Sequence, residues 1–176
     1  MPDNNRQIPR VGVSSCLLGE SVRWDGGHKL DPLIRDTLGE LFDFVPLCPE
    51  VECGMPVPRE PMHLEQHADG LVLIGVNTHT DYTTQMQRWI DNQMQRPGMS
   101  GLCGFILKSK SPSCGLRGLQ IYHDSGVASG TSMGIWTQAL RRSFPNIPLV
   151  DEIDLQDSAQ REQFIEQVQI YQLNVQ

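Results

Sequence analysis

Short apolar runs along this chain alternate with stretches in which apolar residues recur at helical spacing. Val11 to Ser15 is a short β-like run ending at Cys16, and the LLGESVRWDGGHK that follows is rich in loop-forming residues. Asp31 before Pro32 has the form of an N-cap with proline at the first helical position. Ile34, Leu38 and Leu41 then mark a helical face that ends near Phe42. FDFVPL is a second short strand that reaches Cys48, and HLEQHADGLVLIGV reads as a hairpin turning at Asp69-Gly70. Thr80 or Asp81 caps a helix with Tyr82, Met86, Trp89, Ile90 and Met94 on one face, stopped by Pro97-Gly98. LCGFILK is a third strand and leads into SKSPSCG. After LQIYHDS, the glycine and serine cluster SGVASGTSMG reads as a loop that opens the helix of Ile135, Leu140 and Phe144. A short strand over 148–150 precedes an amphipathic helix from about 158 to 172 with Phe164, Ile165, Val168 and Tyr171.

Strands alternating with helices predict an α/β domain over residues 1–176, Rossmann-like, with a largely parallel sheet flanked by helices. In such sheets ligands bind beyond the carboxyl ends of the strands. Cys16, Cys48 and Cys114 each follow a predicted strand within a few residues, so all three are expected at one edge. Three thiolates from separate loops suit a metal or iron-sulfur centre, and buried inert thiols fit the spacing equally well. VSSCLLG, LCPE and SPSCG set these three cysteines among small or rigid residues, where the backbone turns sharply. Cys53 and Cys103 lack that setting. CPEVECGMPVPREP, residues 48–61, holds two cysteines, three glutamates and four prolines, and reads as too proline-rich for a helix.

Composition narrows the function classes. A length of 176 residues is enough to bury a core without disulfides, and five cysteines are an odd number. MPDNNRQIPR has no apolar leader and no window has the length of a membrane span, which predicts a cytoplasmic protein with reduced thiols. The formal charge of -7 opposes binding to long nucleic acid, yet local clusters such as Lys108, Lys110 and Arg117 leave room for a small anion.

VGVSSCLLGESVRWDGGHK, LCPEVECGMPVPREP and ILKSKSPSCG occur in that order, followed by SGVASGTSMGIWTQALRRSFPNIPLVDEID. Over residues 10–155 this series resembles the thiouracil and thiouridine desulfidase family. The resemblance implies a 4Fe-4S cluster on Cys16, Cys48 and Cys114. It also implies exchange of C=S for C=O on a small thionucleobase or thionucleotide, with release of hydrosulfide. Cys53 departs from the pattern, since glycine is usual at that place in the motif.

Such chemistry needs a Lewis acid for sulfur, a water to attack carbon, and proton handling. Glu50, two residues after Cys48, is the expected base, and Ser111, three before Cys114, is the expected proton donor or relay; Glu52 and Glu60 are weaker candidates. Lys108 is expected to orient substrate. The loop SGVASGTSMG before a helix suggests a phosphate site using Ser129, Gly130, Thr131 and Ser132. With the resemblance, this favours 4-thiouridine 5'-monophosphate over free 2- or 4-thiouracil. Two other readings stand beside this one: a structural metal- or cluster-binding module without turnover, and a sulfur carrier using Cys53 or Cys103.

Overall fold

The computed structural model describes residues 7–123 and 125–175, so the leader reading of residues 1–6 lies outside the described residues. Among the described residues, eight strands form two four-stranded sheets. The first contains β1 (Arg10–Ser14), β2 (Asp43–Leu47), β5 (Gly104–Leu107) and β8 (Leu149–Asp151), all parallel, in the order β2-β1-β5-β8. The second contains β3 (Met62–His67), β4 (Gly70–Gly75), β6 (Leu119–Tyr122) and β7 (Ala128–Ser132), in the order β4-β3-β6-β7. In this sheet β3 pairs antiparallel with β4 and parallel with β6, while β7 runs antiparallel to β6. The expected single, largely parallel sheet is therefore corrected to one parallel and one mixed sheet.

The parallel sheet is apolar on both faces, as a sheet covered twice must be. Along β5, Phe105 and Leu107 join one apolar cluster while Ile106 joins the other, following the two-residue period of a strand. Val11 and Val13 of β1 lie on the Ile106 side, against Ile34, Leu38, Phe42, Phe164 and Val168. Gly12 faces the other way. A Cβ there would come within 2.2 Å of the Phe105 ring, so only glycine lets these strands carry that ring between them. On the Phe105 side, α2 (Thr83–Met94) and α4 (Ile135–Ser143) supply Met86, Trp89, Ile90, Trp136 and Leu140. The Trp136 ring centroid lies 5.0 Å from that of Trp89 and 5.9 Å from that of Phe105. The same cluster takes in Leu64, Leu73 and Leu119 of the mixed sheet, which joins the two sheets through one core.

Several local expectations hold. Asp31 Oδ1 accepts hydrogen bonds from the Leu33 and Ile34 N–H groups, Asp81 Oδ1 accepts one from Thr83 N, and the hairpin turns between His67 and Gly70. The last helix, α5 (Ser158–Val175), buries Phe164 and Val168. Three expectations are corrected. After Pro32 the chain forms a π turn over Leu33–Thr37 and a 3-10 turn over Leu38–Glu40 in place of a regular helix, and Leu41 is exposed. The proline-rich segment does contain a helical turn, α1 (Pro49–Glu52), because its first proline falls at the helix start, where no N–H donor is needed. SGVASGTSMG is not an open loop, since Ala128–Ser132 is strand β7 at the edge of the mixed sheet.

The strand order places the site. From β1 the chain steps to β2 on one side, then crosses to β5 on the other, so the order reverses between β1 and β5. The crevice at the carboxyl ends of these strands is where such sheets receive ligands.

Candidate active site

The last residues of β1 set the first thiol. Ser14 and Ser15 are buried, and Cys16 lies in a 3-10 turn, Ser15–Leu18, closed by Gly19 at φ 97°. The Cys16 carbonyl accepts the Lys29 N–H at 2.8 Å, which folds the 20–30 loop back over the turn. Cys48 is the N-cap of α1, and its N–H donates to Glu52 Oε1 at 3.1 Å. This gives Glu52 a capping role. Cys114 follows β5 in a turn where Ser111 Oγ accepts the N–H groups of Ser113 at 3.3 Å and Cys114 at 3.1 Å.

The α4 N-terminus clamps that turn. Gly134, Ile135 and Trp136 donate their N–H groups to the carbonyls of Gly115, Pro112 and Ser113, and Thr137 Oγ1 donates to Cys114 O at 2.8 Å. These donors are the ones a phosphate at this helix start would need, and protein carbonyls already hold them. The expected phosphate loop is thus corrected on two counts. Ser129, Gly130, Thr131 and Ser132 lie in an edge strand, and Ser132 is occupied with Met133 and Gln138.

Cys16, Cys48 and Cys114 line one cavity of about 320 Å³ together with Glu50, Ser111 and Lys108. Burial pushes the Cys16 thiol up to about 11, with the neighbouring Cys48 adding to it. Burial also raises Cys48. Cys114 is pushed well above the ordinary value by burial; the Ser14 hydroxyl hydrogen-bonded to it opposes this, while Cys48, Glu50 and Cys16 add to it. Burial opposes ionisation of all three thiols, and neighbouring cysteines add to this for Cys16 and Cys114, so a cationic group between them would favour the thiolates. Among the described residues no three His, Cys, Asp or Glu side chains gather as they would around a single ion. The three cysteines line one cavity, and an all-sulfur donor set is the kind that holds an iron-sulfur cluster.

Glu50 enters this cavity from α1, only 8% exposed. Arg59 donates to its Oε2 through Nε at 2.8 Å and through Nη2, and Ser113 Oγ donates to Oε1 at 2.8 Å. Lys108 Nζ donates to Glu152 Oε1 and to Ser109 Oγ, so Glu152 offsets its charge. Burial acts to raise the Glu152 carboxyl, but hydrogen bonds from Lys108 and Ser109 outweigh it and hold it below the ordinary value. Ser14 Oγ accepts the Lys108 N–H at 2.9 Å and ties the ends of β1 and β5 together.

The remaining candidates fall elsewhere. Cys53 donates to Glu50 O and is not in the cavity lining, and Cys103 is buried at the opposite end of β5. Glu60 accepts hydrogen bonds from Asn77, Thr78 and Tyr82, where it orders a turn. Sequence reasoning missed Arg59, Ser113 and Glu152, the partners that compensate Glu50 and Lys108. It also missed Trp24, which lines the cavity with 43% of its surface exposed. A buried carboxylate demands a cation, and Arg59 in the same proline-rich run was the signal available.

Among proteins of known structure, the chain is similar to one described as a [4Fe-4S]-dependent thiouracil desulfidase, with 30% identity and a TM-score of 0.66. That match covers 88% of this chain and 98% of the other. It is also 32% identical over 108 residues to the uncharacterized protein YbbK of Bacillus subtilis (strain 168), covering 58% of this chain and 71% of the relative. The family model for 2-thiouracil desulfurase matches residues 11–152, a span holding Cys16, Cys48, Glu50, Ser111 and Cys114, and the chain belongs to that family.

Proposed function

We propose that this protein replaces the sulfur of a thiolated uracil by oxygen, with Cys16, Cys48 and Cys114 holding a 4Fe-4S cluster and the nucleotide 4-thiouridine 5'-monophosphate preferred over free 2- or 4-thiouracil. The observation that carries this reading is the meeting, at the switch point of a parallel sheet, of three strand-end thiols with a buried glutamate and a serine. The bound cluster would supply a thiophilic Lewis acid that polarises C=S. The balance is that of a hydrolysis: water supplies the oxygen of the new C=O, and sulfur leaves as hydrosulfide with one proton released. No net electron transfer is needed.

The chain's residues handle the water and its protons. Each Glu50 oxygen already accepts hydrogen bonds, but an ionised carboxylate offers about four lone-pair sites, so room remains for one water in the cavity. Arg59 offsets the glutamate's charge and fixes its orientation. Ser111 Oγ accepts from two backbone N–H groups, which leaves its own proton free to be donated to the substrate. Trp24 at the rim offers an aromatic face for the pyrimidine ring. Lys29 and Lys110 line the same cavity and have no ion pair among the described residues, which recommends them for a phosphate.

The test follows loss of thiocarbonyl absorption and release of sulfide under anaerobic conditions. Glu50→Gln and Ser111→Ala should keep the iron content and lose roughly a hundredfold to ten-thousandfold in turnover, the range for one acid/base group. Full iron with undiminished turnover in both variants would defeat the assignment. Iron-loaded wild type that releases no sulfide from any thiouracil would support a structural cluster module instead.

A further inference from the structure

The chain has five histidines, and four of them, His63, His67, His79 and His123, line a second cavity on the mixed sheet, whose lining shares no residue with the cysteine cavity. Glu65 and Tyr122 line it too. The reason lies in the strand period. His63, Glu65 and His67 occupy alternate positions of β3 and so project from one face, while Leu64 between them points into the core at 1% exposure. β3 is an interior strand held by β4 on one side and β6 on the other, so its backbone is fixed.

Glu65 is only 9% exposed. His63 Nε2 lies 2.7 Å from its Oε1, and His67 Nε2 lies 2.9 Å from its Oε2. The His63 ring also packs against Tyr122 with centroids 5.0 Å apart, which restricts its orientation.

We propose that this face of β3 is a second inorganic site, in which His63, Glu65 and His67 bind a divalent transition-metal ion of the zinc type. Imidazole and carboxylate are the donors such ions take, at about 2.0–2.2 Å. Neighbouring ligand atoms at the corners of a tetrahedron of that size are about 3.3 Å apart. The present N···O separations of 2.7 and 2.9 Å fall short of this by roughly half an ångström, so the rings must move for an ion to enter. In the hydrogen-bonded state both rings address the carboxylate and not a common centre, which is why no ready-made ion cage is found among the described residues. Binding replaces two Nε2···carboxylate hydrogen bonds by two Nε2–metal bonds, and each ring then carries its single proton on Nδ1, where exchange with solvent places it. His79 and His123, from the turns after β4 and β6, lie in the same cavity for a fourth position.

This site has nitrogen and oxygen donors only, whereas the cysteine site is all sulfur, and that difference supplies the test. Cluster-loaded protein, kept anaerobic, is titrated with zinc by calorimetry, and the zinc-edge X-ray absorption of the complex is recorded. One zinc per chain is expected, with an N/O shell near 2.0–2.1 Å and no sulfur shell near 2.3 Å. His63→Ala and His67→Gln should each weaken binding tenfold or more, while iron content and cluster absorption stay unchanged and so report an intact fold. His28→Ala, outside the array, should bind as wild type. A sulfur shell, no zinc uptake, or undiminished binding in both histidine variants would overturn the proposal.

Discussion

Both carboxylate oxygens of Glu50 are held, Oε2 by Arg59 and Oε1 by Ser113. Its place two residues after Cys48 marked it as a base, but the sequence did not show that Arg59 and Ser113 would hold both its oxygens. Contacts of that kind depend on how the chain folds back on itself. The Arg59 and Glu50 side chains are 6% and 11% exposed, so the pair is buried, and removing one partner from a buried pair costs about 3–5 kcal/mol. Arg59→Ala should lower the denaturation midpoint accordingly, while the double variant Glu50→Gln/Arg59→Met should recover much of the loss because no unpaired charge remains. Equal destabilisation in both would show that the cost comes from packing. The cysteines were legible for a simpler reason: strand ends can be read from short apolar runs, and ligands collect at strand ends. Replacing Cys16, Cys48 or Cys114 by alanine should therefore abolish the broad visible absorption of the anaerobic protein, and Cys53→Ala should keep it, since the Cys53 thiol is turned to the Glu50 carbonyl.

At the scale of elements, periodicity found what repeats and missed what does not. β7 was hidden because ASGTS has no apolar alternation; the strand is exposed along most of its length, so nothing selected a pattern. The mixed sheet was hidden because β6 pairs in parallel with β3 across more than fifty residues, a non-local choice that no window records. The function of α4 changes as a result, from phosphate binder to clamp on the Cys114 turn. A Cβ at Gly134 would come within 2.3 Å of the Ser113 carbonyl oxygen, so Gly134→Val should displace the turn and cost iron. Gly130→Val meets no atom within 4 Å, although φ is 142°, and should cost some stability while leaving iron content and substrate preference unchanged. The turn between β4 and α2 gives a pH signature. Hydrogen bonds from Thr78 hold the Glu60 carboxyl down at about 2, against an ordinary 4.5. Its contribution to stability is thus complete above pH 4.5 and lost as pH falls towards 2. Glu60→Gln should flatten that part of the acid-unfolding curve, and an unaltered curve would show that these hydrogen bonds carry no net stability.

For the whole molecule, the formal charge of -7 and the walls of the cysteine cavity have opposite senses. Arg23, Lys29, Arg59, Lys108 and Lys110 all line that cavity, and three of the five are already compensated: Arg23 by Asp25, Arg59 by Glu50 and Lys108 by Glu152. Lys29 and Lys110 have no ion pair among the described residues. Under the proposed function, the negative charge of the chain disfavours long nucleic acid, while two lysines in the cavity wall would draw in one phosphate over a range of about 10 Å at 0.1 M salt. Association of 4-thiouridine 5'-monophosphate should then weaken as ionic strength rises, whereas uncharged 4-thiouracil, carrying nothing for the lysines to attract, should show little dependence. Lys29→Ala and Lys110→Ala should lower kcat/KM for the monophosphate and remove its salt dependence, with the free base unaffected. Since binding energy at the phosphate is available in the transition state, part of the loss should fall on kcat as well as on KM. The measurement is kcat/KM for both substrates at low and moderate salt, on wild type and the two lysine variants. A salt slope common to base and nucleotide would assign it to protein stability, and a nucleotide preference that survives both substitutions would remove the lysines from phosphate recognition.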